Sequence, residues 1–193
     1  MPAVEREARA LSPEGVGAVN LIVFARRFLI PAPLISLTCF FKFRCLVHYR
    51  SEVEYSKHLK IGRKTFVAAF TKIKADRGPL TIGENVSIAD GCHIESSEAG
   101  VSIGDDCLLG PHVTVIGVNY AYDKLDVPFR LQPGKSKGIS IGQNVWIGSG
   151  TCILDGSRIG NNVIITPNSV VSAKVPDNVI VQGNPAKVIF TRR

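Results

Sequence analysis

Histidine is the side chain whose ordinary pKa lets it take and release a proton near neutrality, and this chain has four. His93 and His112 fall inside the part of the sequence that repeats, whereas His48 and His58 precede it and are given no role. Asp123 and Asp126 lie in the longest interruption of the repeat. Imidazoles and carboxylates so placed suit general-base chemistry, and His112 and Asp123 are the first candidates, with His93 behind them. A metal is not expected, because a catalytic zinc needs three protein ligands. Only His93 and His112 stand in the repeat before the interruption, at unequal positions in their units. The five cysteines show no CxxC and no paired spacing, and read as reduced thiols of a cytosolic protein. No glycine-rich phosphate loop of the Walker or dinucleotide type is present.

The element that must position these residues has a period of six. Ile61, Val67, Ile73, Ile82, Ile88, Ile94, Ile103, Leu109, Val115, Ile141, Ile147, Ile153, Ile159, Ile165 and Val171 are all aliphatic. Four places on, where the period is unbroken, stands a small or medium residue such as Thr65, Cys92, Cys107, Thr151, Ser157 or Ser169. Six matches neither the 3.6 of a helix nor the 2 of a lone strand. It matches short strands joined by tight corners, each with two inward side chains, and three such units per coil. The expected fold is all-β, a parallel β-helix of about five triangular coils. Cys92 and Cys107 occupy inward positions, while Cys152 and Trp146, the sole tryptophan, point outward. Trp146 is then a wall either of a subunit interface or of a binding site.

The breaks in the period all follow the third unit of a coil. The gaps from Ile73 to Ile82 and from Ile94 to Ile103 are nine, and that from Val115 to Ile141 is twenty-six. All insertions therefore leave the solenoid at one corner, and the loop over residues 116–140 is the first place to look for function. The expected organisation is a basic and apolar, helical segment over residues 1–58, the β-helix over 59–175, and a closing segment over 176–193. Residues 16–50 mix Leu and Phe with Lys and Arg, broken by Pro31 and Pro33, and no apolar run reaches the ~20 residues of a spanning helix. Such a segment suits peripheral contact with a membrane surface, or a flap over the open end of the solenoid. The net charge of +7 sits largely at the two ends and favours anionic partners. Nucleic acid is the weaker partner class, because no reading motif is present.

With the coils placed, several words acquire meaning: Ile141-Gly142-Gln143-Asn144-Val145-Trp146-Ile147-Gly148, Ile153-Leu154-Asp155-Gly156, Ser169-Val170-Val171, and Gly183-Asn184-Pro185-Ala186-Lys187-Val188-Ile189. Over roughly residues 60–190 the chain resembles the hexapeptide-repeat acyltransferase superfamily, in its maltose/galactoside and envelope-polysaccharide acetyltransferase branch. The resemblance implies a left-handed coil, a homotrimer with sites between subunits, acetyl-coenzyme A as donor, and a sugar or nucleotide-linked sugar as acceptor. It implies an enzyme of surface polysaccharide or lipopolysaccharide biosynthesis, and the basic, apolar front would place this cytoplasmic protein peripherally at the inner membrane face. It places Trp146, Gly148, Ser149, Gly150, Thr166, Pro167 and Lys187 near the coenzyme. Asn119, Tyr120, Tyr122, Gln132 and Trp146 are placed near the acceptor.

In one respect the chain departs from that branch. The loop usually carries a catalytic histidine, but Val118 and Tyr120 stand in the matching stretch Ile116-Gly117-Val118-Asn119-Tyr120-Ala121-Tyr122-Asp123. The final coil reads Ile165-Thr166-Pro167-Asn168-Ser169, where the branch prefers Ile-Gly-Ala-Gly-Ser. A tyrosine of ordinary pKa near ~10 is a poor base at neutral pH. The departure leaves three readings: an amine acceptor, which attacks a thioester without prior deprotonation; a substitute base, His112 or Asp123; or a catalytically impaired trimeric scaffold. For the developing oxyanion, a backbone N–H near residues 148–150 is the expected donor.

Overall fold

The structure, a computed structural model, describes residues 32–75 and 77–193. These form two units, Ala32–Val118 with Ser136–Arg193, and Asn119–Lys135.

In the larger unit the period of six becomes three parallel ladders. Face I stacks Val47, Val67, Ile88, Leu109, Ile147, Ile165 and Val181. Face II stacks Val53, Ile73, Ile94, Val115, Ile153 and Val171. Face III stacks Ile61, Ile82, Ile103, Ile141, Ile159 and Val175. All of these side chains point into one core and are buried. The result is a left-handed β-helix of five complete coils with a partial coil at each end. The ladders begin at β1 (Leu46–Val47) and β2 (Glu52–Val53), ahead of the boundary expected at residue 59. The reason is local: the step from Val53 to Ile61 is eight residues, so the first rungs fall out of register with the six-residue count.

The small residues four places on also have a use. Thr65, Thr71, Cys92, Cys107 and Thr151 are buried, and each donates to the carbonyl just past the aliphatic residue of the next rung: Gly83, Ala89, Gly110, Gly142 and Thr166. A buried donor needs such a partner, and only a short side chain turns back at the corner to reach it. The corners themselves place one residue per unit in the left-handed region, which favours Gly, Asn and Asp. Lys64 and then Asn85, Asp106, Asn144, Asn162 and Asn178 fill it between faces III and I. Their side chains continue the ladder, Asn144 to Asn162 at 2.8 Å and Asn162 to Asn178 at 2.9 Å.

Helix α1 (Ala32–Phe43) precedes the first rung and sets Ile35, Cys39 and Phe43 against the base of the core. At the other end Lys187–Thr191 pairs antiparallel with Val179–Gln182 and closes the face I sheet. Among the described residues no helix is long and apolar enough to cross a membrane. The part of the expected interfacial segment before residue 32 lies outside the described residues.

Candidate active site

The corner between faces I and II gathers several of the candidate residues. Its left-handed positions are Phe70, Gly91, His112, Gly150 and Asn168. His112 adopts φ +59°, in the left-handed region where His, with Asn and Asp, is enriched among the non-glycine residues. Its exposed ring leans over Gly91, where a methyl would lie 2.5 Å from Nδ1. Gly91 thus makes room for the imidazole, and His112 comes to the rung next to that of His93. Two coils further on the pattern recurs, with Asn168 over Gly150 and the Pro167 ring over Gly148. Thr166 and Pro167 therefore pack directly on residues 148–150.

Within that turn the backbone donors are not equivalent. Gly148 N–H donates to Ile165 O at 2.8 Å and Gly150 N–H to Pro111 O at 2.9 Å, so both belong to the ladder. The Ser149 N–H has no such partner among the described residues. It faces Gly110 of the preceding rung, where a methyl would stand 2.8 Å from the Ser149 nitrogen and 3.0 Å from its Oγ. The bare Gly110 leaves the space beside that amide free of a side chain, and an amide with no ladder partner is what an oxyanion donor requires.

On the outer side of face II, His93 Nε2 lies 3.2 Å from Glu95 Oε2, both half-buried. The two alternate outward on one strand, His93–Glu95. A carboxylate on Nε2 favours the tautomer with its proton there and leaves Nδ1 as acceptor. Glu95 was not visible as a partner in the sequence. Its signal was the i, i+2 spacing on one strand, which puts two side chains on one face. His112, by contrast, has no orienting side chain among the described residues.

The outward column of face I reads Leu46, Phe66, Ser87, Leu108, Trp146, Ile164 and Ile180 in register. Leu46, Phe66, Leu108 and Trp146 are exposed, Trp146 at 52%. The matching columns of faces II and III are largely polar, with Lys72, His93 and Thr114 on one and Lys60, Thr81, Ser102, Ser140 and Arg158 on the other.

Family models match two stretches of the chain, "bacterial transferase hexapeptide (six repeats)" over residues 138–173 and "hexapeptide repeat of succinyl-transferase" over residues 100–119. The putative lipopolysaccharide biosynthesis O-acetyl transferase WbbJ of Escherichia coli is 30% identical over 155 residues, 77% of this chain and 76% of that protein. The chain belongs to the hexapeptide-repeat acyltransferase family. Another member, the galactoside O-acetyltransferase of Escherichia coli, is 38% identical over 90 residues, 46% of this chain and 43% of that protein. Among solved structures, the N-acyltransferase AntD of Bacillus cereus, in complex with dTDP and 3-hydroxybutyryl-CoA, superposes with a TM-score of 0.69 at 20% identity. It covers 78% of this chain and 81% of AntD, which establishes the fold.

Two of the family's words now have a physical role. The Asp155 carboxylate accepts from Lys137 N–H at 2.9 Å and Gly138 N–H at 2.8 Å. Arg158 donates to the carbonyls of the same two residues, at 2.7 and 2.6 Å. Together they fix the strand that returns from the long insertion. Ser97 and Ser136 do the same at its root, both bonding to Gly117 O. The turn of the closing word lies on the last coil, with Val170 N–H donating to Gly183 O and Ala186 N–H to Val170 O. Lys187 is exposed beside it.

The insertion itself, Asn119–Lys135, is a separate unit built on a short hairpin of Asn119–Tyr120 with Gly134–Lys135. Asn119, Tyr120 and Tyr122 are exposed. Gln132 is not: it is 2% exposed, and its amide donates to Lys124 O and Val127 O, each at 2.9 Å. Gln132 holds the loop together, so its amide is not available to an acceptor. Asp123 accepts from Lys135 Nζ at 2.8 Å. This contact raises the Lys135 pKa, first by the hydrogen bond and then by the charge.

Proposed function

We propose that this protein transfers an acyl group, in the first place acetyl, from coenzyme A to a sugar or nucleotide-linked sugar. The reaction serves surface polysaccharide or lipopolysaccharide biosynthesis in the cytoplasm. The observation that carries the reading is the likeness to WbbJ over three quarters of both chains; the Ser149 amide without a ladder partner supports it on chemical grounds.

The acceptor's amine or hydroxyl attacks the thioester carbonyl carbon, and the oxygen that gains charge takes the Ser149 N–H. The carbon–sulfur bond then breaks and the coenzyme leaves as thiolate. The acceptor's proton goes to His93 Nδ1, oriented through Nε2 by Glu95, and from there to the thiolate. Trp146, residues 148–150, Thr166, Pro167 and Lys187 form the coenzyme side. Asn119, Tyr120 and Tyr122 serve the acceptor. An amine acceptor relieves the demand on the base, which suits a loop with Tyr120 in the usual histidine's place.

The working form is a homotrimer. The exposed apolar column of face I is the kind of surface that a second copy buries, and it would bring Trp146 of one copy to the interface.

The test is calorimetric titration with acetyl-coenzyme A, followed by turnover with nucleotide-linked amino sugars and then hydroxyl sugars. Micromolar binding and His93→Ala turnover reduced ~10²–10⁴-fold are expected. Retained turnover in His93→Ala with loss in His112→Ala would move the base to His112. A second reading is a non-catalytic trimeric scaffold, favoured by Val118 and Tyr120 in the loop and by the Asp123–Lys135 pair. It requires a folded trimer that does not bind acetyl-coenzyme A at millimolar concentration.

A further inference from the structure

Helix α1 is apolar on two opposite faces. Ile35, Cys39 and Phe43 pack on the core. The other side shows Leu34, Leu37, Phe40 and Phe41 to solvent, at 53%, 53%, 50% and 77% exposure. Their spacing of three, three and one puts them on a single helical stripe. An exposed apolar stripe of this kind, opposite the face already packed on the core, marks an interaction surface. At 12 residues the helix is about 18 Å long, too short to cross a bilayer.

Charge decides what covers it. From Ala32 to Ser51 the sequence holds Lys42, Arg44 and Arg50 and no acidic residue. Arg50 lies 5.5 Å from the Tyr49 ring and 5.8 Å from the Phe70 ring, both exposed. A second copy would bring these cations against their own kind. Exposed Phe and Leu beside Lys42, Arg44 and Arg50, none of them in an ion pair among the described residues, complement an anionic lipid surface, where the rings enter the interface and the cations meet headgroup phosphates. We propose that the outer face of α1 docks the protein on an anionic membrane. The inference stands apart from the acyl-transfer reading, since it uses none of those residues.

The test uses the full chain with vesicles of phosphatidylglycerol and phosphatidylcholine, with phosphatidylcholine vesicles alone beside them. Co-sedimentation with the anionic vesicles is expected, reduced at least tenfold on neutral vesicles or in 0.5 M salt. The double variant Leu37→Ser/Phe41→Ser should weaken binding at least tenfold. Lys42→Gln should weaken it about fivefold, as one cation at a charged surface does. Acetyl-coenzyme A binding and circular dichroism should not change in either variant. No binding to anionic vesicles would overturn the proposal, as would full vesicle binding by the double variant. So would a double variant that alters only the protein's self-association, which would assign the face to a second copy.

Discussion

Gly110→Ala puts the oxyanion assignment at risk. A methyl at Gly110 would stand 2.8 Å from the Ser149 nitrogen, 3.0 Å from its Oγ and 3.2 Å from Ile147 O. Ordinary contact begins at about 3.4 Å, so the Ser149 amide must either retreat by about half an ångström or stay covered. Both outcomes remove it as a donor. Loss of one such donor lowers kcat by ~10²–10³. The substitution also strains the stack, by about 1–3 kcal/mol for an overpacked site, and that cost must be separated from the catalytic one. Gly104→Ala does so: its methyl would meet Gly142 C and O at 2.6 Å and Gln143 N at 2.8 Å, the same kind of clash between rungs at a different corner. The assay is thiol release from acetyl-coenzyme A with the best acceptor, beside urea unfolding of both variants. The expected result is similar destabilisation of both and a fall of kcat in Gly110→Ala alone, with the KM for acetyl-coenzyme A little moved. Equal turnover in the two variants, whether both high or both low, would refute the Ser149 assignment.

Other consequences are checked more simply. Leu108→Glu, in the middle of the face I column, should yield monomers by sedimentation velocity without loss of β-structure. Asp155→Ala removes the charged acceptor of Lys137 and Gly138 and should cost about 1.5–3 kcal/mol per bond at that point. Hydrogen exchange over residues 134–139 should rise while the core rungs stay protected. Gln132→Ala should open residues 124–132 to protease and leave the solenoid's melting unchanged. Burial is the first cause that pushes the Cys92 thiol up, to about 11 from an ordinary 9.0. Below pH 9 the thiol is protonated in both folded and unfolded chains and its contribution is constant. Between about 9 and 11 only the unfolded chain ionises, so stability should fall with rising pH, and the slope should lessen in Cys92→Ala.

Glycines and serines that look alike in the sequence differ sharply in place. Gly91 accommodates an imidazole, Gly110 leaves the space beside an amide free, and Gly148 lies under a proline ring. Their common feature in the sequence is only their position after an aliphatic residue or at a corner.

The repeat by itself determined the architecture. A period of six admits one way to bury fifteen aliphatic side chains together, and each stands in the core. It also determined that insertions leave by one corner, because a solenoid adds residues only between rungs. The branch was legible as well, since its words are the turns that lie on neighbouring rungs. What tertiary structure decided is what sits beside what across rungs. Residues about eighteen or more positions apart become neighbours there, so His112 over Gly91 and Ser149 over Gly110 are invisible to any local count. The loop depended on tertiary contact most of all. Gln132 and Asp123 read as exposed polar candidates, yet one is buried among its own loop's carbonyls and the other is paired with Lys135. A polar side chain in a loop bonds to whatever the fold returns to it, and the sequence alone does not state which partner that is.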